Sequence, residues 1–343
     1  MAAKLRLGLI GCGFYAQNHL NAWRDLGDEV ELAAVCDTDI GKAKAAASIF
    51  AVPKSYGDAA EMLAKEKPDF VDIVTTMPSH RALVLLAAAH KTPAIVQKPF
   101  APTWAECVEM VAACEKAGLP LMVHENFRYQ SPMREVRRLL REGAIGEITW
   151  GRINWRTAYD IYAGQPYLAK ETRFILLDIG VHTLDLARVF MGEVERVYCE
   201  TQSLKPGIAG EDAATVTLRH RSGAVSVVDF SYAARRDPDP FPETLLEIEG
   251  SGGSLILSPG LELTLHSNGK SSKRSLRSPP LSWTSEPWHV SQESVLNTQR
   301  HWVACFKAGR EPDTSGRDNL KTYALVEAAY ESAAAHQAVR PKL

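Results

Sequence analysis

Short apolar runs alternate with longer amphipathic ones over the first 124 residues. Leu5–Ile10, Val30–Cys36, Phe70–Thr75, Ala94–Val96 and Leu121–His124 are rich in valine, isoleucine and leucine, as strands buried on both faces are. Ile40–Phe50 and Arg81–His90 have helical spacing. The helix expected after Pro99 carries its own boundary marks: Thr103 to cap it, Glu106 to complete a T-x-x-E box and Gly118 to end it. This alternation predicts an α/β domain built on a doubly wound parallel sheet.

After residue 125 the texture changes. A helix near Pro132–Glu142 precedes the alternating run Ile148–Trp155 and then a stretch rich in Tyr, Gly and Pro. A further helix is predicted from about Asp178 to Phe190. Strand-like runs follow at Val194–Thr201, Ala213–His220, Val225–Tyr232, Thr244–Glu249, Leu255–Leu257 and Leu261–His266, with turns at Ser222-Gly223 and Gly250–Gly253. The pattern is that of an α+β domain with a large, mostly antiparallel open sheet and helices on one face. Lys270–Pro287, rich in Ser and Pro, reads as an exposed loop, and Gln292–Lys307 and Asp318–Gln337 read as closing helices. The expected divisions are therefore 1–124, 125–315 and 316–343.

A chain of 343 residues can bury two cores. With 45% hydrophobic and 23% charged residues and a net charge of −2, it lacks the basic surface of a nucleic-acid or membrane binder. No run reaches transmembrane length, and Met1-Ala2-Ala3-Lys4 leads into a strand without a signal-peptide core, so a cytoplasmic protein is expected. The six cysteines are scattered, with no C-x-x-C and no His/Cys cluster, which predicts reduced thiols and no metal site.

Gly11-Cys12-Gly13-Phe14-Tyr15-Ala16 fits G-x-G-x-x-A between a strand and a helix. Gly11 permits the tight turn, Gly13 admits a pyrophosphate and Ala16 allows close helix packing, so the helix N-terminus can hold the phosphates. Asp37 ends the second strand about 20 residues further on, where a carboxylate accepts from ribose hydroxyls and repels a 2′-phosphate. That favours NAD over NADP. The alternative is that Asp37-Thr38-Asp39 merely caps the next helix.

Two further stretches carry candidate chemistry. Gln97-Lys98-Pro99 closes an apolar strand and places Lys98 at the sheet's carboxyl edge, where ligands of open α/β sheets bind, although most Lys-Pro pairs are solvated turns. In Leu177–Asp185, Asp178 and His182 are spaced i, i+4 on one helix side, with Asp185 three residues later. A lone helical histidine is more often a core residue; flanking carboxylates weaken that reading. Asn126-Phe127-Arg128-Tyr129 either lines a cleft or is a plain linker. Trp155-Arg156-Thr157-x-x-Asp160 offers groups suited to a polyol, while Trp150, Trp155, Tyr159, Tyr162 and Tyr167 suit sugar stacking and core packing equally.

In this order and spacing the motifs resemble the Gfo/Idh/MocA family, named for glucose–fructose oxidoreductase and inositol dehydrogenase, over essentially the whole chain. The resemblance rests on Gly8-Leu9-Ile10-Gly11-Cys12-Gly13, Thr76-Met77-Pro78-Ser79-His80, Gln97-Lys98-Pro99, Asp178-x-Gly180-x-His182-x-x-Asp185 and Ala328–Ala333. It implies an NAD-dependent dehydrogenase that oxidises a hydroxyl of a sugar or polyol, D-apiose among the candidates, at the anomeric carbon to give a lactone. Lys98, Asp178 and His182 are the implied catalytic group: His182 takes the hydroxyl proton, Lys98 holds the oxygen and Asp178 orients substrate or imidazole. Cofactor contacts are implied for Gly11, Gly13, Phe14, Tyr15, Ala16, Asp37, Thr76, Pro78, His80, Gln97, Lys98 and Asn126. Substrate contacts are implied for Lys98, Asn126, Arg128, Trp155, Asp160, Asp178 and His182. The usual family residue at position 97 is Glu, not Gln, and the Lys-Pro bond is often cis. The resemblance also implies a last helix that returns to the nucleotide domain. Competing readings are a redox-neutral NAD-dependent glycosidase and a non-catalytic NAD- or sugar-sensing regulator. A sheet with one bare face further predicts a homodimer or homotetramer.

Overall fold

The computed structural model describes residues 3–342; Met1 and Ala2, half of the N-terminal stretch Met1–Lys4, lie outside the described residues. The chain forms two compact units. One takes the residues up to Asn126 together with Gln292–Lys321, and the other takes Phe127–Ser291 together with the residues from Thr322 on.

In the first unit six strands, β1 (Leu5–Ile10), β2 (Val30–Cys36), β3 (Ser55–Tyr56), β4 (Phe70–Ile73), β5 (Ala94–Gln97) and β6 (Leu121–His124), form one sheet in the order β3-β2-β1-β4-β5-β6. Every pairing is parallel. Leu7, Leu9, Phe70, Ile73, Ile95 and Val96 are fully buried, which is why these strands read as continuous apolar runs. β3 has only two residues, too few to show a period in the sequence. The helix Trp104–Ala117 has the expected capping box, and Gly118 ends it at φ 70°.

The expected second boundary moves. The helix His289–Lys307 belongs, from Gln292 on, with the parallel sheet and not with the second domain. Its Trp302 and Phe306 rings lie 5.6 and 5.7 Å from Phe70 of β4, and Thr314 beyond it donates to the Val123 carbonyl at 2.8 Å. Aromatic burial over β4 outweighs position in the chain.

In the second unit eight strands, β7 (Ile148–Arg156), β8 (Val194–Gln202), β9 (Ala213–His220), β10 (Val225–Ser231), β11 (Leu245–Gly250), β12 (Gly253–Ser258), β13 (Glu262–Ser267) and β14 (Lys270–Ser275), form a sheet ordered β14-β13-β12-β11-β7-β10-β9-β8. All pairs are antiparallel except β7 with β10. β14 corrects the loop expected from Lys270: all six residues of this charged edge strand are exposed, so no apolar alternation marks it. The final helix, Gly316–Ala335, begins in the first unit, where Arg317 donates to Glu115 at 2.6 Å, and belongs to this unit from Thr322 on. Its Tyr330 hydroxyl donates to Glu211 at 2.6 Å, and its Ser332 hydroxyl accepts from the Cys199 N–H at 3.0 Å. Among the described residues no helix is long and apolar enough to cross a membrane.

Candidate active site

The glycine loop follows β1 directly. Gly11 has φ 98°, and a Cβ there would stand 2.5 Å from the Val74 carbonyl oxygen, so only glycine fits. A Cβ on Gly13 would meet nothing within 4 Å, which leaves an open approach to the backbone. Phe14 is 93% exposed, and Ala16 is fully buried where the helix Ala16–Asp25 begins. Asp37 is not the helix cap. Its Oδ2 accepts from the Cys12 N–H and its Oδ1 from the Asp39 N–H, both at 2.8 Å, whereas Asp39 caps by accepting from Gly41 at 2.9 Å. The half-buried Asp37 carboxylate thus ties the glycine loop to the end of β2 with lone pairs to spare for ribose hydroxyls. Burial, then the Asp37 charge, pushes the Cys12 thiol up to about 12, so it remains a thiol. An open cradle, a helix N-terminus and a carboxylate at the second strand fit a dinucleotide with a free 2′-hydroxyl.

Thr76 and Pro78 are exposed on the short 3-10 turn Met77–Ser79 beyond β4. His80 is different. Its ring is fully buried, with Nδ1 3.0 and 3.1 Å from the Pro99 and Phe100 carbonyls and Nε2 3.1 Å from that of Thr75. Burial pushes its imidazole below the ordinary value, against the pull of those carbonyls. Its Nδ1 thus faces the turn that follows Lys98 and its Nε2 the end of the segment after β4. Lys98 follows β5 immediately, is half-buried, and joins Pro99 through a cis bond. Gln97 is buried and accepts from the Lys98 N–H at 2.7 Å. Asn126 is buried and donates to Ser294 at 2.6 Å.

In the second unit Asp178 sits in a π-helical turn, Leu176–Gly180, and His182 in the first turn of the helix Val181–Met191. π-Turns are rare and recur at functional sites. The His182 ring stacks on Phe127, with centroids 3.8 Å apart and planes within 3°. The Tyr232 hydroxyl donates to Asp178 Oδ2 at 2.9 Å; burial, then the Asp178 charge, pushes that hydroxyl well above its ordinary value, so it stays a donor. Trp155 stands edge-on to Tyr232 at 5.0 Å and donates its indole N–H to the Pro242 carbonyl, so it buttresses Tyr232 from the buried side.

Two expected substrate residues are committed elsewhere. The buried Arg128 guanidinium forks onto Asp185, which also accepts from Thr322 at 2.6 Å; that bidentate pair anchors the histidine helix. Asp160 is exposed and pairs with Lys205 at 2.8 Å, and that hydrogen bond pulls its carboxyl below the usual range. The sequence reading did not single out Tyr232, and it named Phe127 only as part of the Asn126–Tyr129 stretch. The only local signals were an aromatic at the end of a predicted strand and another beside Asn126.

The glycine loop, Asp37 and a lysine at the carboxyl edge of the sheet fit a dinucleotide-dependent oxidoreductase. Residues 5–125 match the oxidoreductase family with an NAD-binding Rossmann fold, and residues 133–256 match the GFO/IDH/MocA C-terminal domain. The chain belongs to this family. It is 54% identical over 325 residues to a D-apiose dehydrogenase of Paraburkholderia graminis, covering 95% of this chain and 86% of that one. It is 50% identical over 331 residues to a D-apiose dehydrogenase of Rhizobium rhizogenes, covering 96% of each. An oxidoreductase from Agrobacterium radiobacter, solved in complex with NAD+, L-tartaric acid and magnesium, has a TM-score of 0.96 and 49% identity over 98% of both chains.

Proposed function

We propose that the protein is an NAD-dependent sugar dehydrogenase that oxidises D-apiose at the anomeric carbon to a lactone, using Lys98, Asp178 and His182 together. The observation that carries this reading is the likeness, over nearly the full chain, to two D-apiose dehydrogenases. The chemical groups of this chain support it. Gly11 and Gly13 would expose backbone to the pyrophosphate, and Asp37 would read the ribose. Bound NAD supplies the hydride acceptor. His182, its ring plane set by Phe127, takes the hydroxyl proton. Asp178, held by Tyr232, orients the sugar hydroxyl or the imidazole. The Lys98 ammonium stabilises the negative charge that grows on the substrate oxygen.

The test is NADH absorbance with NAD and a panel of aldoses, ketoses, inositols and glycosides. Net NADH with D-apiose is expected. Release of sugar from glycosides without NADH would replace this reading with the redox-neutral glycosidase. Lys98→Ala should abolish turnover while leaving NAD affinity within about threefold, since it sits past the strand end and not in the glycine loop. The chain assembles as a homodimer or homotetramer in this reading, and light scattering decides between them. A reducing cytoplasm suits its six buried cysteines.

A further inference from the structure

A line of buried polar groups runs beneath the Lys98 turn, apart from the chemistry above. Asp72, in β4, is fully buried; its Oδ2 accepts the Trp23 indole N–H at 2.7 Å and lies 2.7 Å from His19 Nδ1. His19 is also fully buried, and its Nε2 lies 3.0 Å from Gln97 Nε2. Gln97 Oε1 accepts the Lys98 N–H at 2.7 Å, just past the end of β5.

The fixed donor at the end of this line settles the protons along it. A backbone N–H can only donate, so the oxygen of Gln97 faces Lys98 and its amino group faces His19. An amino group also donates, so His19 Nε2 carries a lone pair. The imidazole proton therefore sits on Nδ1, where the Asp72 carboxylate accepts it. The result is one neutral tautomer in a line carrying a single charge. Also packed on His19 are the His124 ring of β6, with centroids 4.3 Å apart, and the Tyr15 ring, edge-on at 5.6 Å. The Tyr15 hydroxyl is pushed up by burial and then by the Glu125 charge, and Gln299 donates to the His19 carbonyl at 3.3 Å.

We propose that Gln97 is a positioning residue for Lys98 that works in this chain as a neutral amide: Asp72 and His19 lock its orientation, and it holds the lysine backbone at the sheet edge. A carboxylate at 97 has no proton to offer His19 Nε2. It would draw a second proton onto the imidazole and place an ionisable pair beside the Lys98 ammonium. The amide leaves the lysine charge undiluted. This inference rests on the reading of Lys98 as the group that stabilises the substrate oxygen.

Nitrogen-15 imidazole spectra of the full-length protein, with His19 assigned by its loss in His19→Gln, test the proton pattern without reference to activity. The expected wild-type pattern is a protonated Nδ1 and a bare Nε2. Gln97→Glu should protonate both nitrogens and add an ionisation to the pH profile of kcat. Gln97→Met removes the hydrogen bonds to both the Lys98 N–H and His19 and should lower kcat about tenfold with the NAD KM within about twofold. A wild-type proton on Nε2, or an unchanged kcat in Gln97→Met, would overturn the proposal. Should Gln97→Met not fold, the wild-type spectrum alone decides. Activity retained in Lys98→Ala overturns the catalytic reading of the lysine, whereas the wrong tautomer overturns the positioning role whatever Lys98→Ala does.

Discussion

Tyr232→Phe removes one oxygen and leaves the ring. The ring stacks with Phe174 at 5.5 Å and meets Trp155 edge-on at 5.0 Å, contacts that phenylalanine reproduces. What disappears is the 2.9 Å hydrogen bond to Asp178 Oδ2. A hydrogen bond to a charged group contributes about 1.5–3 kcal/mol. If Asp178 orients the reacting group in the transition state, that loss lowers kcat/KM for NADH formation roughly 10- to 150-fold. Because the hydroxyl is held protonated far into the alkaline range, the penalty should not vary with pH across the neutral region. The same substitution made in an Asp178→Asn background should cost much less, since residues acting through one another are not additive. An unchanged kcat/KM in Tyr232→Phe, or an equal loss in both backgrounds, would refute the claim that Tyr232 acts by holding Asp178.

Three further outcomes follow from the geometry. Asp37→Ala should erode the NAD-over-NADP preference in kcat/KM and loosen the glycine loop, because the carboxylate also accepts the Cys12 N–H at 2.8 Å; an unchanged cofactor ratio would show that it does not read the ribose. Asp185→Asn should cost about 3 kcal/mol in urea unfolding by leaving the buried Arg128 guanidinium without its counter-charge; a midpoint unmoved by the substitution would argue against a structural role for that pair. His80 binds its proton less readily folded than unfolded, so its contribution is full above the unfolded value near 6.5 and falls as pH drops below it. As pH falls below about 6.5 the stability slope should be shallower in His80→Asn, by at most about 1.4 kcal/mol per pH unit for one proton. Equal slopes would mean that His80 binds the same number of protons in both states.

What could be read from the sequence was local. Gly11 to Ala16 is a contiguous loop whose conformation depends on neighbouring residues, and Thr103, Glu106 and Gly118 mark a helix by hydrogen bonds within it. Gly11, Gly13 and Asp37 stand where the spacing placed them because strand, turn and helix follow one another without a gap. Alternation failed only where it carried no contrast, in the two-residue β3 and the fully exposed β14.

The sequence by itself determined the class of fold and the glycine loop and named the candidate reactive groups, since each depends on short-range sterics and residue type. Tertiary structure alone decided what those groups touch. Arg128 is 57 residues from Asp185, and Gln97 is 78 from His19, so neither pairing leaves a periodic trace in the chain. Desolvation makes such partners obligatory: a buried guanidinium or imidazole must find an acceptor, and only packing selects which one. The same requirement turned His80 toward backbone carbonyls and gave Asp178 its tyrosine.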